Sequence, residues 1–351
     1  MYYSNKHTAK ITPLKQNNFL DKSAYIIRQL RYLIFIEAFF GISRLYLLEP
    51  KRIVLLISYC YTFLAITLLS YSLFQDNNFG ATYLVFKCTS CIEFIILACS
   101  SIFLQRRTLR EFFKNLEAFD RVLNIENDIA ITMPVPRTIA WILLSFLITS
   151  LELVILFKSS LVFSMTNLTI MVHDAEQVFF GTMLRTILIR VRIVKAHVKN
   201  VCCNKSKGAK KVESLDKVEA LSKKAQSEIS SLHEVYESLH KCSEQLNSIM
   251  SFPTIWPKYY TLYVVAPCYY SSMTTTQVSV IRKTLHDALN NAQFDKIECR
   301  KLKAFFQLTR DSEFAYALWG VINLNMSLPL SYISLCTTYL VIIIQFSKFI
   351  D

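Results

Sequence analysis

The chain has 351 residues, of which 53% are hydrophobic and only 5 are glycine, and its formal net charge is +13. Soluble domains carry about 45–50% apolar residues and roughly 7% glycine, and here the apolar excess falls in long charge-free blocks, which excludes an ordinary soluble fold and reads as membrane-spanning helices. The Lys and Arg residues lie between those blocks, where the positive-inside bias puts them, and are not interleaved with base-stacking aromatics, so no nucleic acid partner is expected.

Residues 1–24 are polar and hold no apolar core, so no secretory leader is read there and the first span acts as its own insertion signal. Residues 25–48 are apolar but interrupted by Arg28, Arg31, Glu37 and Arg44, which predicts an amphipathic helix leading into the membrane. The first clean span is Ile53–Phe74, followed by a turn, Gln75–Gly80, without Lys or Arg. A second span runs from Thr82 to Leu104 and ends at Gln105-Arg106-Arg107; residues 108–136 are an amphipathic helix and a linker marked by Pro134 and Pro136. The third span is Thr138–Phe157. A fourth starts near Leu161 and passes Arg185, Arg190 and Arg192 without a breaker, so a helix continued to residue 199 would outlast a hydrocarbon core of about 30 Å.

Beyond it, Val212, Leu215, Val218, Leu221, Ala225, Ile229, Leu232, Leu239, Leu246 and Ile249 form one apolar stripe among charges, the pattern of a water-facing helix packed on the extension of span four. Basic residues follow spans two and four, whereas the turns after spans one and three hold only Lys158, so the N-terminus is expected in the cytosol.

The next region resists this scheme. The stretch from Asn247 to Arg282, interrupted by Pro253, Pro257 and Pro267, is shorter than the about 40 residues that two spans and a turn need. A single span would put Lys283, Lys296, Arg300, Lys301, Lys303 and Arg310 outside, against the charge rule. Phe314–Ser347 then carries no charge at all. As one helix it would measure roughly 50 Å, more than a bilayer core, so part of it is expected inside protein, with a bend at Pro329.

The chain therefore divides into a cytosolic N-terminus with its amphipathic helix (1–50), spans one to four (51–200), a cytosolic helix (201–250), the fifth/sixth span region (251–285), a cytosolic part of the last helix (286–325), and a final span with an extracellular C-terminus (326–351).

Within the last block Ser327, Ser331, Ser334, Thr338 and Gln345 recur at spacings of 4, 3, 4 and 7, with Val341 on the same helical face. Such an edge has two readings. Small polar residues let helices pack closely with interhelical hydrogen bonds. Alternatively, hydroxyls and an amide line a pore that an apolar ring closes by dewetting, which requires several copies around a shared axis. In span four His173, Asp174 and Glu176 are either the polar floor of a ligand pocket or an internally bonded set. Tyr263, Tyr269 and Tyr270 offer either aromatic pocket walls or an interfacial belt.

Thr338-Tyr339, five apolar residues, then Gln345-Phe346 resembles the C-terminal signature of insect gustatory receptors at every fixed position. The approach from Phe305-Phe306-Gln307-Leu308 through Phe314, Ala315 and Gly320 to Asn323, and the Leu246-Asn247 pair, resemble the family too. The resemblance implies an all-α polytopic fold of seven helices and a homo- or hetero-tetrameric, ligand-gated, non-selective cation channel in the plasma membrane of sensory neurons. The last helix of each subunit would line the pore, with a gate around Ile342, Gln345 and Phe346; the ligand would be a small-molecule tastant, and no cofactor is expected. Family sugar receptors carry an acidic residue where this chain has Leu340, so the resemblance leans toward the bitter-type group.

The chain departs from the family between Ser251 and Tyr259, where the outer half of the fifth span and the start of the sixth are missing, and the resemblance implies that a stretch of about 30–40 residues is absent there. A truncated, non-conducting variant is thus one alternative. A G-protein-coupled receptor is another, but Asp120-Arg121-Val122 precedes span three and no Asn-Pro occurs. Inverted repeats with Gly- and Pro-broken helices, as in transporters, are not visible. His233-Glu234-x-x-Glu237 lacks the second histidine of a zinc motif, and no enzyme chemistry is read from the chain. Cys88 and Cys91 lie inside an apolar run, and Cys202-Cys203 follow a basic segment where palmitoylation is an option.

Overall fold

A computed structural model describes residues 23–49, 51–74, 81–123, 161–208, 215–250, 261–290, 294–318 and 322–347, and residues 144, 147 and 151 singly. Helix α1 (Ser23–Phe39) is closed by Gly41 at a φ of +97° and leads through a 3-10 turn (Leu45–Leu47) into α2 (Arg52–Phe74). Helix α3 (Ala81–Cys99) passes through a π-turn (Ser100–Leu104) into α4 (Gln105–Val122). The third span lies outside the described residues except for Leu144, Leu147 and Leu151, all exposed. Helix α5 (Leu161–Gly208) has 48 residues, α6 is Leu215–Met250, α7 is Thr261–Asn290 and α8 is Lys296–Asp311. A two-stranded antiparallel hairpin, β1 (Ala317–Leu318) and β2 (Ile322–Asn323), pairs Ala317 with Asn323 and Leu318 with Ile322 before α9 (Ser327–Ser347).

Among the described residues three helical stretches are long and apolar enough to cross a membrane: Arg52–Tyr71, Cys88–Val122 and Ser327–Phe346. The second exceeds a single span because the π-turn continues α3 into α4 without a break at Gln105-Arg106-Arg107.

The core lies where α6 and α7 pack on α5 and α4 packs on α6. Helix α4 buries Leu109, Phe112, Phe113, Leu116 and Phe119, one face at helical spacing. Large side chains of this kind contribute about 1.5–3 kcal/mol each when fully buried. From α6 the core takes Ile229, Leu232, Leu239, Leu246 and Ile249 of the expected stripe, and also Val235, Tyr236 and Cys242. Helix α5 is buried on most sides between Val172 and Val198, because α1, α3, α6 and α7 all press on it.

Polar contacts give the relative sense of the helices. Arg44 joins Gln105 to Glu176, and fourteen or fifteen residues farther along the same two helices Arg190 donates to Asp120. Helices α4 and α5 therefore run side by side in one sense. Helix α7 also follows α5: a Cβ on Gly181 would sit 3.6 Å from Pro267, and Lys195 donates to Gln277. Helix α8 runs back along α7, since Thr275 reaches the Phe314 carbonyl and Arg282 the Thr309 carbonyl.

The uncharged block 314–347 is not one long helix with a bend at Pro329. Chain direction breaks after Ser312, and the hairpin intervenes. Asn325 then starts a new helix by accepting hydrogen bonds from the backbone N–H and the hydroxyl of Ser327. Pro329 falls in the first turn of that helix, where a missing N–H costs nothing.

Candidate functional site

Helix α9 stands almost bare. Every side chain from Ile333 through Phe346 is exposed, and only 6% of its apolar window is covered by the rest of the chain. Ser331, Ser334, Thr338, Val341 and Gln345 are exposed, as are Tyr339, Ile342 and Phe346, and Ser327 is exposed with its hydroxyl on Asn325. Thr338 donates to the Ser334 carbonyl at 2.9 Å and Thr337 to that of Ile333 at 2.8 Å, so these hydroxyls satisfy themselves on their own helix. An apolar helix of about 31 Å with one polar edge and no protein around it is a span waiting for lipid on one side and further protein on the other.

Its base, in contrast, is clasped. Tyr236 of α6 donates to the Ser312 carbonyl at 3.1 Å, and His240 lies 3.3 Å from the Glu313 carbonyl. Thr275 of α7 donates to the Phe314 carbonyl at 3.2 Å. Asn247 accepts the Ala317 N–H at 2.8 Å, which pins the hairpin to the end of α6. The Tyr236 ring packs edge-on between Phe305 and Phe314, with His233 against Phe305 and His240 against Phe314. Leu324 and Pro329 are buried below the exposed length of α9. The clasp thus joins α6, α7 and α8 to residues 312–317, the segment that leads through the hairpin into the last span. The Leu246-Asn247 pair and Phe305 and Phe314, noticed in the sequence only as resemblances, are its structural members. Tyr236, Thr275 and His240 were not legible there, because nothing local marks a side chain that bonds a carbonyl in another element.

A second polar assembly sits where α1, α3–α4 and α5 meet. Arg44 is fully buried and donates to Glu37 at 2.8 Å, to Gln105 at 2.8 Å and to both carboxylate oxygens of Glu176. Its guanidinium lies 4.3 Å from the Phe179 ring centroid. The π-turn offsets the helix just before Gln105, and π-turns recur at functional positions. Of the proposed pocket set, Glu176 is 1% exposed and engaged in this ion pair, so it floors no open cavity. The side chains of His173, Asp174 and Tyr263 lie outside the described residues. Tyr269 and Tyr270 stack edge to face at 5.6 Å, with Tyr269 exposed.

The remaining motifs find ordinary places. Asp120 holds Arg190 through two hydrogen bonds of 2.8 and 2.5 Å. Glu237 bonds Lys241 at 2.9 Å, which keeps its carboxyl below the usual range, and His233 stacks on Phe305. Among the described residues no group of His, Cys, Asp and Glu is arranged to hold a metal.

Residues 258–350, which span α7, α8, the hairpin and α9, match the family model described as 7tm Chemosensory receptor. No curated protein matches the chain. The membrane-length helices make this a multi-pass membrane protein, and over residues 258–350 it is similar to the 7tm chemosensory receptors.

Proposed function

We propose that this chain, similar over residues 258–350 to the 7tm chemosensory receptors, is one subunit of a ligand-gated, non-selective cation channel that answers small-molecule tastants, with a lean to bitter compounds. Four subunits, identical or mixed, place α9 around a shared axis in the plasma membrane of sensory neurons, with the N-terminus in the cytosol. Ser331, Ser334, Thr338 and Gln345 line the path of permeating cations; Val341, Ile342 and Phe346 form the apolar constriction near its outer end. The reading is carried by one observation: none of the described residues of its own chain covers the polar edge of α9. Close packing within the subunit, the alternative use of such an edge, has no described neighbour to act on.

The ligand side rests on His173, Asp174, Tyr263, Tyr269 and Tyr270, with Glu176 given over to structure. Whole-cell recording from cells expressing the chain tests the proposal with a panel of tastants. Ligand-evoked current that is blocked when Ser334→Cys or Thr338→Cys is modified by a charged methanethiosulfonate, but not when Leu335→Cys is, supports it. Absence of block at all three positions overturns the pore assignment.

A truncated, non-conducting variant is favoured by a different observation. Only residues 251–260 separate α6 from α7, too few for a span of about 20 residues, and neither helix, over its described residues, is apolar enough to cross on its own. Surface expression without current for any tastant, alone or with co-expressed family members, would select this reading.

A further inference from the structure

A groove of about 310 Å³ runs between α2 and the end of α3, and it takes no part in the polar assemblies described above. Tyr59, Phe63 and Ile66 form one wall, and Cys99, Ile102 and Phe103 the other. Tyr59 and Phe103 stack at 5.6 Å with rings 22° apart and line the end of it nearest Arg52 and Arg106. Thr62, the one hydroxyl bordering the groove besides Tyr59, is turned away and donates to the Gly41 carbonyl at 3.1 Å. The π-turn Ser100–Leu104 supplies the second wall, and its wider turn sets Phe103 and Ile102 apart from the regular helical face.

A groove without polar lining does not hold ordered water, and its position between two membrane-length helices opens it to hydrocarbon. Both helices meet the same membrane surface just below it, and both carry cations there. Lys51 precedes α2 and Arg52 opens it, about 10 Å along the helix from Tyr59, and Arg106 and Arg107 follow Phe103 by one turn. Glu49 pairs with Lys51 at 3.3 Å and Glu111 with Arg107 at 3.0 Å, but these pairs are exposed and weak. Four cations against two carboxylates leave the mouth of the groove positive.

We infer that the α2–α3 groove binds one acyl chain of an anionic phospholipid, whose headgroup rests on Arg52, Arg106 and Arg107. The inference needs only the membrane setting of these two helices and holds whether or not the chain conducts.

The test uses the full chain reconstituted in phosphatidylcholine nanodiscs, with Phe103→Trp as the groove reporter and Leu64→Trp, on the lipid face of α2 outside the groove, as the control; the parent chain supplies the background. Dibrominated phosphatidylserine is expected to quench the Phe103→Trp emission at about ten-fold lower mole fraction than dibrominated phosphatidylcholine, while Leu64→Trp responds equally to both. Adding Arg52→Gln, Arg106→Gln and Arg107→Gln, all surface changes, abolishes the preference and leaves quenching by both lipids. Should Phe103→Trp disturb the stack, Phe63→Trp reports on the same groove. Equal quenching by the two lipids at the groove position marks an ordinary lipid annulus and overturns the proposal, as does a preference that survives the triple substitution.

Discussion

Gly41 adopts a φ of +97°, where a side chain is strained, and a Cβ there would come within 2.8 Å of the Phe94 ring and 3.0 Å of Ala65. That turn swings Arg44 into the bundle, so Gly41→Ala is expected to cost about 1–3 kcal/mol, read as a lower midpoint in thermal size-exclusion of detergent-solubilised protein. Arg44→Met should cost more, about 3–5 kcal/mol, because it leaves Glu37 and Glu176 buried without their cation. Combining it with Glu37→Leu and Glu176→Leu should recover much of the loss in the same assay. A combination no better than Arg44→Met alone would show that the network is not held by charge pairing. Burial pushes the Cys242 thiol up to about 12. It should therefore stay unmodified by a membrane-permeant maleimide in the folded protein, while the exposed Cys60 and Cys336 react; mass spectrometry of the labelled chain decides it.

At the scale of elements, periodicity was enough to find the helices that bury a single face. The stripe of α6 and the amphipathic face of α4 were legible because each recurs every three or four residues. The uncharged block ending at Ser347 was not, because absence of charge says nothing about where a helix stops. The break came from Ser312, whose carbonyl takes the Tyr236 hydroxyl of another helix, and from Asn325, which caps Ser327 locally. The clasp is the element that would carry movement of α6 and α7 to α9. Asn247→Ala removes the acceptor of the Ala317 N–H, leaving that group unpaired at a cost of about 1–3 kcal/mol. If the chain gates as proposed, the expected outcome is a shifted dose–response curve with surface expression retained; an unchanged curve would remove the clasp from the gating path.

For the whole molecule, α4 and α5 run in one sense. The same geometry holds for α5 and α7, with α6 as the return. Epitope tags at the N-terminus and between α5 and α6 are expected to be stained only after permeabilisation; surface staining of either would reverse the proposed orientation. By itself the sequence determined the class of protein, the order of its apolar helices and the polar edge of the last one. These depend on composition and on periods of three to four residues, which are local. Only the tertiary structure decided that Glu176 serves Arg44 rather than an open pocket, that the last block divides at a clasp, and that α9 emerges uncovered. Those outcomes turn on which side chains meet across separations of 39 to 132 residues along the chain, and no local pattern encodes a partner.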